Sequence, residues 1–359
     1  MRVRSPSFFV FFSLVVAACA ESDGPTAPNA PELLSRGALA PAAAVQLRHQ
    51  EDLMAVPGVV GVGLGATASG QPAVVVLAER GGIAGLPASL GGVPVRIMVT
   101  GEIWALQQEP RKKCETPPCG GPGGGGESGG GGGDVDPTAR LPRPVPIGVS
   151  TGHPAITAGT IGARVTDGTD VFALSNNHVY AASNAGPMGV NVLQPGTFDG
   201  GVNPADAIGT LADYQVIDFS GGDNTIDAAI ALSSADSLDN STPSNGYGTP
   251  SSTTTAAAVN MRVMKYGRTT EQTKGRVTAI SATVNVNYGS PGVARFVNQI
   301  VIGGGGFSAG GDSGSLIVVE KGGDKLKPVG LLYAGSSSAT IANPIDAVLT
   351  RFGVTIDGS

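Results

Sequence analysis

The sequence predicts an all-β fold for most of the folded part of this 359-residue chain. Charged residues make up only 14% of the sequence and 56 residues are glycine, which favours short strands and many turns over long helices with charged outer faces. Residues 277–280 and 283–288 alternate in hydrophobicity with period two, and residues 315–319 and 329–333 form apolar runs on either side of a glycine-containing turn. The stretch from 141 to the end, roughly 220 residues, is long enough for two packed barrels.

Composition divides the chain into five predicted segments. They are an export signal (1–18), a flexible tether (19–47), a small α+β module (48–108), a glycine-rich linker (109–140) and the strand-rich domain (141–359). The tether is rich in Pro, Ala and Ser, and the linker is so rich in glycine that ordering it would cost much backbone entropy for little burial. The module combines a short helical stretch with three apolar runs but contains no cluster of catalytic residue types. Its role stays open between inhibitor, adaptor and structural support.

The first residues have the features of an export signal. Arg2 and Arg4 supply positive charge, and residues 8–18 form an apolar stretch too short to span a bilayer comfortably. The stretch ends in Val-Ala-Ala-Cys19, which resembles a bacterial lipobox and implies diacylation of Cys19 and cleavage before it. An ordinary signal peptide with an incidental cysteine is the alternative. The resemblance predicts an exported protein, lipid-anchored in the bacterial cell envelope, on the outer membrane or the periplasmic face, with the membrane as a partner.

The two other cysteines lie close together in the linker. Cys114 and Cys119 can staple a small loop in an oxidising compartment if the Pro117–Pro118 turn brings their side chains together. A zinc site is the competing interpretation, but two thiols without a nearby His or further Cys are poor ligation. We therefore expect a disulfide, no metal and no cofactor. The net charge of −6 gives no electrostatic reason to expect nucleic acid as a partner.

A candidate nucleophile, Ser313, lies in Gly-Gly-Asp-Ser-Gly-Ser, residues 310–315. Glycines on both sides let the backbone approach a substrate carbonyl closely. The amides of Gly311 and Ser313 can then point at one oxygen, which is what an oxyanion hole requires. A surface turn in a glycine-rich chain would give the same letters, so the motif alone is only moderately specific.

A base and an orienting acid complete the predicted constellation. His178 follows the apolar run 171–175, so we expect it at a strand end facing a cleft, whereas His153 has the surroundings of a surface turn and His49 belongs to the N-terminal module. Asp227 directly precedes an apolar strand. By contrast, the carboxylates upstream of it have loop-like surroundings and are expected to be solvated: Asp213, Asp218 and Asp223.

Order and spacing join the three residues. They occur as His, Asp, Ser, with 49 and 86 positions between them, against about 45 and about 93 in a well-known serine protease triad. The sequence Leu-Ser-Asn-Asn-His-Val around His178 and the Gly-Asp-Ser-Gly around Ser313 resemble the motifs of trypsin-like serine peptidases over about residues 147–356. The resemblance implies a chymotrypsin-like double β-barrel with the triad between the barrels, an acyl-enzyme mechanism, and a protein or peptide substrate.

The same resemblance implies a specificity pocket and exposes several departures. Phe307 stands six residues before the nucleophile, where an Asp would select Arg or Lys, and Gly330–Gly335 resembles the strand beside the pocket, with Tyr333, Ala334 and Gly335 at the pocket. Tryptic specificity is therefore not expected. No new N-terminus of the Ile-Val-Gly-Gly type follows the linker, which puts activation by cleavage there in doubt. Val179 replaces a usual Cys, and two asparagines before His178 replace small apolar residues.

Other readings compete with a serine endopeptidase. An α/β-hydrolase needs Gly-x-Ser-x-Gly and a histidine after the serine, and neither is present. A subtilisin-like order could use Asp167 or Asp170, but that fold does not match the strand-rich pattern. A catalytically silent binding or scaffold domain, tethered to the envelope, is an alternative of a different class. An enzyme that cuts its own linker is a further possibility.

Overall fold

The computed structural model describes residue 1 and residues 33–106 and 135–359. The expected lipidation at Cys19 and the expected Cys114–Cys119 disulfide lie outside the described residues. Residues 33–106 and 135–359 belong to one compact unit, which is built mostly from strands. No helix among the described residues is long and apolar enough to cross a membrane.

The N-terminal segment, residues 33–106, contains a helix followed by short strands. Its elements are α1 (Ala40–Met54), β1 (Val59–Ala66), β2 (Pro72–Ala78), β3 (Ser89–Leu90), β4 (Val93–Val99) and β5 (Trp104–Ala105). The three apolar runs seen in the sequence are β1, β2 and β4. Strand β2 pairs antiparallel with β1 and parallel with β4. The valines and leucines of β1 and β2 are buried against α1 on one side, which explains their near-continuous apolar character.

The next strands form the first barrel. This stretch of the chain contains β6 (Ser150–Thr151), β7 (Gly159–Thr160), β8 (Ala163–Thr166), β9 (Val171–Ser175), α2 (Asn177–Tyr180), β10 (Asn191–Leu193), β11 (Ala207–Tyr214), β12 (Asp223–Asn224) and β13 (Ala229–Ser233), with a 3₁₀ turn at Thr197–Asp199. All of these strands belong to the first barrel except β12, which pairs parallel with a strand of the second. Pairing runs in the order β10, β11, β13, β9, β8. The ring closes through β7 and β6, since β7 leads directly into β8 along the chain and pairs with β6. Gly152, directly after β6, then exchanges backbone hydrogen bonds of 3.2 and 3.0 Å with Leu193 of β10.

The second barrel follows from the remaining strands. Its elements are β14 (Arg262–Gly267), β15 (Glu271–Asn287), β16 (Val293–Gly303), β17 (Leu316–Val319), β18 (Pro328–Gly335) and β19 (Ala339–Pro344), followed by α3 (Ile345–Phe352) and β20 (Thr355–Ile356). Each strand pairs with the next in the cycle β14, β15, β16, β19, β18, β17 and back to β14. The predicted all-β fold with two barrels is therefore confirmed.

One strand, β15, is longer than the sequence pattern indicated. The alternating run at 277–280 and all but the last residue of the run at 283–288 belong to this single strand, which carries register shifts against β16 between residues 277 and 284. Ser281 has φ +49° within the irregular part. Bulges of this kind bend a strand sharply without ending it, so the break in the alternation marks a bend and not a turn.

The two barrels meet across a shared apolar layer. It contains side chains of the first barrel such as Val165 and Leu174, and side chains of the second such as Leu316 and Leu331. Helix α3 covers this layer with Ile345, and β20 returns to pair with β8 of the first barrel. Apolar packing and this strand pairing therefore hold the two barrels together, and the described part of this domain has no cysteine.

The N-terminal segment packs against the second barrel. The predicted tether, residues 19–47, therefore ends too late, because ordered structure is already present before residue 47. Leu34 exchanges backbone hydrogen bonds of 3.0 and 2.9 Å with Val259, and α1 begins at Ala40, with a proline at its first turn. Leu39, Ala42 and other apolar residues enter the core cluster of the second barrel. Strand β1 pairs antiparallel with β15. The helical stretch therefore starts earlier than predicted, because its apolar face has a barrel to cover.

Leu39→Ala is expected to destabilise the whole protein by about 2–5 kcal/mol, because it empties a fully buried site shared by the N-terminal segment and the barrel. Leu47→Ala, at a leucine that is 82% exposed on α1, is the matched control and should change stability by less than about 0.5 kcal/mol. Denaturant unfolding followed by circular dichroism measures both. Two separate transitions, with only one moved by Leu39→Ala, would contradict the shared core.

Candidate active site

Strand pairing brings His178 and Asp227 together. Ala229 of β13 lies opposite Ser175 of β9, and each of the two residues lies just outside that pair, His178 in the short helix α2 and Asp227 directly before β13. Ser313 lies in the turn before β17. Its carbonyl accepts a 2.7 Å hydrogen bond from the backbone amide of Thr160, which anchors this turn of the second barrel on the wall of the first.

The imidazole of His178 and the carboxylate of Asp227 form a buried hydrogen-bonded pair. Nδ1 of His178 lies 2.5 Å from Oδ2 of Asp227, and the backbone amide of His178 donates to Oδ1 at 3.2 Å. Both side chains are fully buried. An ionised carboxylate only accepts, so Nδ1 carries the proton and Nε2 is left with a free lone pair, the form that a general base needs. Nε2 makes no hydrogen bond to any described residue.

The hydroxyl of Ser313 is buried and donates to the carbonyl oxygen of Tyr333 at 3.0 Å. The structure therefore brings the predicted base and acid into direct contact, while the predicted nucleophile is hydrogen-bonded to a neighbouring strand. A bond from Ser313 Oγ to His178 Nε2 requires the hydroxyl to leave that carbonyl.

Two asparagines fix the backbone of Asp227. Asn343 accepts from the amide of Asp227 at 3.0 Å and donates to its carbonyl at 2.9 Å, and Asn176 donates to the same carbonyl at 2.7 Å. All of these atoms are buried. The asparagine before His178 that departs from the trypsin-like pattern thus has a definite structural task. Asn177 is the other asparagine that departs from that pattern. Its side chain donates to the carbonyl oxygen of Gln215 at 2.6 Å and holds the loop that leads to β12.

Tyr288 is a site residue that sequence reasoning missed. Its hydroxyl donates to Oδ2 of Asp227 at 2.8 Å, and its ring packs edge-on against His178 with 5.9 Å between ring centres. Burial, followed by the charge of Asp227, raises the pKa of Tyr288 well above 10, so the hydroxyl stays a donor. Its place in the last step of the alternating run 283–288 was the available signal, since the pattern puts it on the buried face.

Gly311 has the conformation of an oxyanion-hole residue. Its φ is +95°, and a Cβ there would lie 2.5 Å from Oγ1 of Thr269, so only glycine fits. Its amide donates at 2.8 Å to the carbonyl oxygen of Leu106, from the N-terminal segment. The predicted donor therefore points at a peptide carbonyl in this structure.

The charge of Asp312 is balanced by a lysine of the second barrel. Its carboxylate lies 3.3 Å from the ammonium group of Lys265, both side chains are fully buried, and the amides of Thr269 and Ala309 donate to it at 2.8 and 2.9 Å. Burial lowers the pKa of Lys265, while Asp312 opposes that shift. The carboxylate beside the predicted nucleophile thus has its positive partner in a side chain of the second barrel.

The predicted pocket residues lie in two places. Phe307 is buried in the core cluster of the second barrel, and the side chain of Leu106 packs against that cluster. A Cβ on Gly335 would lie 3.2 Å from Cδ1 of Leu106. The ring of Tyr333 instead packs 4.9 Å from that of Phe296, so only the backbone of Tyr333 faces the cleft. Ala334 is fully buried in the same cluster as Tyr333.

His153 and the three carboxylates upstream of Asp227 have partners of their own. Nδ1 of His153 accepts from the amide of Ala155 at 2.9 Å, and burial lowers the pKa of this histidine. Asp213 pairs with Arg351 and Asp223 with Arg295, while Asp218 accepts from Ser220 in a local turn. Within the described residues no group of three His, Cys, Asp or Glu side chains is placed to hold a metal ion.

Comparison with known proteins finds partial likenesses. Residues 251–343, which cover most of the second barrel, match the Nal1 C-terminal domain. A search of curated proteins finds no match. A solved glutamic acid specific serine protease is 22% identical over 59% of this chain and 100% of its own, with a TM-score of 0.43. Thermobifida fusca Protease A is 19% identical over 60% of this chain and 100% of its own, with a TM-score of 0.44.

Cellulomonas bogoriensis chymotrypsin gives a similar result, with 19% identity over 60% of this chain and 99% of its own and a TM-score of 0.42. Every one of these TM-scores lies below 0.5. The two closed barrels are therefore established by the strand pairing itself.

Lys265→Met is expected to destabilise the protein by about 3–5 kcal/mol, because it leaves the buried carboxylate of Asp312 without its cation. Lys274→Met is the matched control, since Lys274 is 58% exposed and pairs with Glu320 at the surface, where such a pair contributes at most about 1 kcal/mol. Chemical denaturation measures both. Equal small losses in the two variants would show that Asp312 does not depend on Lys265.

Proposed function

We propose that this protein is a serine endopeptidase of the trypsin-like kind, with Ser313 as nucleophile, His178 as base and Asp227 as orienting acid. The observation that carries the proposal is the buried contact of 2.5 Å between Nδ1 of His178 and the carboxylate of Asp227. That contact leaves Nε2 as the nitrogen of the His178 ring that can accept a proton. It lies at the cleft where the turn of Ser313 meets the first barrel. A fully buried His–Asp pair costs desolvation free energy and is not needed for a barrel to fold.

The proposed reaction is acyl transfer through a covalent intermediate. Nε2 of His178 takes the proton of Ser313 as its oxygen attacks the substrate carbonyl, and the positive imidazolium that forms is stabilised by Asp227. The amides of Gly311 and Ser313 donate hydrogen bonds to the negatively charged oxygen of the tetrahedral intermediate. His178 then gives the proton to the leaving amine, and water attacks the ester in a second, equivalent step.

We further propose that the enzyme acts at the bacterial cell envelope, held by a lipid on Cys19, and that Cys114 and Cys119 form a disulfide. These proposals are supported by the sequence pattern alone. The proposed substrates are proteins or peptides. A catalytically silent scaffold remains the alternative of a different class, and the hydrogen bond from Ser313 to Tyr333 is the feature that favours it.

The test is labelling with a serine-directed fluorophosphonate, on wild type and on Leu106→Glu, since Leu106 contacts the Gly311 amide. We expect labelling at Ser313, lost in Ser313→Ala, and strongly reduced in His178→Ala. Peptidase activity should fall to a similar residual level in Ser313→Ala, in His178→Ala and in the variant that carries both changes, because the two groups act as one unit. His153→Ala is the control and should keep its activity. If wild type and Leu106→Glu are both folded and neither is labelled, the protein is a catalytically silent scaffold.

Tyr288→Phe is expected to lower kcat about tenfold with little change in KM, because Asp227 loses one of its hydrogen bonds and the imidazole is held less firmly. Steady-state kinetics on a peptide substrate measure the two constants separately. Tyr266→Phe is the matched control, since its hydroxyl donates to Asn245, away from the triad. A change in KM alone would assign Tyr288 to substrate binding and contradict a positioning role.

A further inference from the structure

A strand of the protein's own chain lies in the cleft beside Ser313. Strand β5 pairs antiparallel with β18, with Ala105 opposite Ala334 and Trp104 opposite Gly335. The amide of Leu106 donates to the carbonyl of Tyr333 at 3.1 Å. An extended peptide that adds a strand to an open sheet edge is a general mode of peptide recognition. Residues 104–106 are therefore held as a peptide substrate would be held.

The carbonyl of Leu106 is bound by one of the two predicted oxyanion-hole amides. Its oxygen accepts from the amide of Gly311 at 2.8 Å, and Gly311 is two residues before Ser313. This contact agrees with the register that the pairing of β5 with β18 sets. A shift of one residue would point the carbonyl away and turn every side chain to the opposite face.

The side chain of Leu106 contacts two of the predicted pocket residues or their surroundings. Its Cδ1 lies 3.2 Å from the Cβ position of Gly335, and it packs against the apolar cluster that contains Phe307. Trp104, two residues earlier, is 44% exposed and is also held by a parallel pairing with Asn287 of β15. The pocket accepts a branched apolar side chain and offers it no charged partner among these residues.

From these three contacts we propose that the protein cuts its own chain after Leu106 and that the new carboxyl end stays in the cleft as an inhibitor. This inference rests on the proposed function. Ser313 Oγ attacks the carbonyl carbon of Leu106, an ester forms, and the bond to the nitrogen of Gln107 breaks as that nitrogen takes a proton from His178. Water then hydrolyses the ester, which gives the carboxylate of Leu106 and restores the serine hydroxyl.

The cut end stays because the rest of its segment is bound to the barrel. Strand β1 pairs with β15, and Leu39 and Ala42 lie in the core of the second barrel. Cleavage therefore releases no fragment, and the product remains at a high effective concentration in its own cleft. An outside substrate must displace residues 104–106 before it can reach Ser313. The same contacts assign a leucine-like residue as the preferred one on the acyl side of the cleaved bond.

The experiment is intact-mass analysis of the purified full chain under denaturing conditions, over time and at several protein concentrations. Wild type should yield two polypeptides, one ending at Leu106 and one beginning at Gln107, which co-elute on native gel filtration. Ser313→Ala should remain whole. The rate of cutting should not depend on concentration, because the strand lies in its own cleft.

Variants of Leu106 separate binding from chemistry. Leu106→Glu should cut about 100-fold more slowly, because the apolar pocket offers a carboxylate no partner, and should react faster with the fluorophosphonate because the cleft is open. Leu106→Met should cut at near the wild-type rate. Ile97→Glu, at an exposed position of β4 in the same segment, is the control and should change neither rate. Thermal melting checks that each variant is folded.

The outcomes distinguish the two proposals. If Ser313 is labelled and external peptides are cleaved while the wild-type chain stays whole at Leu106, self-cleavage is wrong and the endopeptidase stands. If the chain is cut elsewhere, or if Leu106→Glu does not speed labelling, the assigned register is wrong. If no folded variant is labelled or cleaves any peptide, the endopeptidase itself is wrong. A peptide of residues 102–106 with a free carboxylate should inhibit Leu106→Glu, and the same peptide with Leu replaced by Lys should not.

Discussion

The carboxylate of Asp227 is the point on which the arrangement of this cleft depends. It is fully buried, and an ionised group there is tolerable only because each of its oxygens accepts hydrogen bonds: from the ring of His178, from the amide of His178 and from Tyr288. These donors come from two distant parts of the chain. The carboxylate therefore ties the first barrel to β15 of the second, and it orients the imidazole in the same act.

A second buried carboxylate serves the other half of the cleft. Asp312 is held by Lys265 and by backbone amides, so the turn carrying Gly311 and Ser313 is fixed in the conformation with positive φ at Gly311. Trypsin-like zymogens that wait for a new chain terminus lack such a partner until they are cut. Here the charge is already inside the barrel. The control that we propose acts through access to the cleft, which is where residues 104–106 lie.

Much of this arrangement was predictable from local sequence. Alternation and turn residues gave the all-β class, and the motifs around His178 and Ser313 gave the two ends of the cleft, because such signals need only a few neighbouring residues. Tyr288 and Lys265 could not be assigned, since each acts through a partner that lies 61 or 47 positions away. The start of α1 was missed for a related reason: its Ala- and Pro-rich composition is typical of a tether, and only the barrel that it covers makes it fold.

Strand β15 has a consequence for how the chain reaches this state. It is 17 residues long and contributes to the second barrel at both edges, and it also takes β1 as a neighbour, with Gly65 paired to Ala279. Those partners are more than 200 positions apart. Strands β1, β2 and β4 can pair with one another, but the edge of β1 that β15 covers must wait until most of the polypeptide has been synthesised. Long-range closure of this kind slows folding and leaves an apolar edge uncovered in the meantime, so the nascent chain depends on protection that the finished molecule no longer needs.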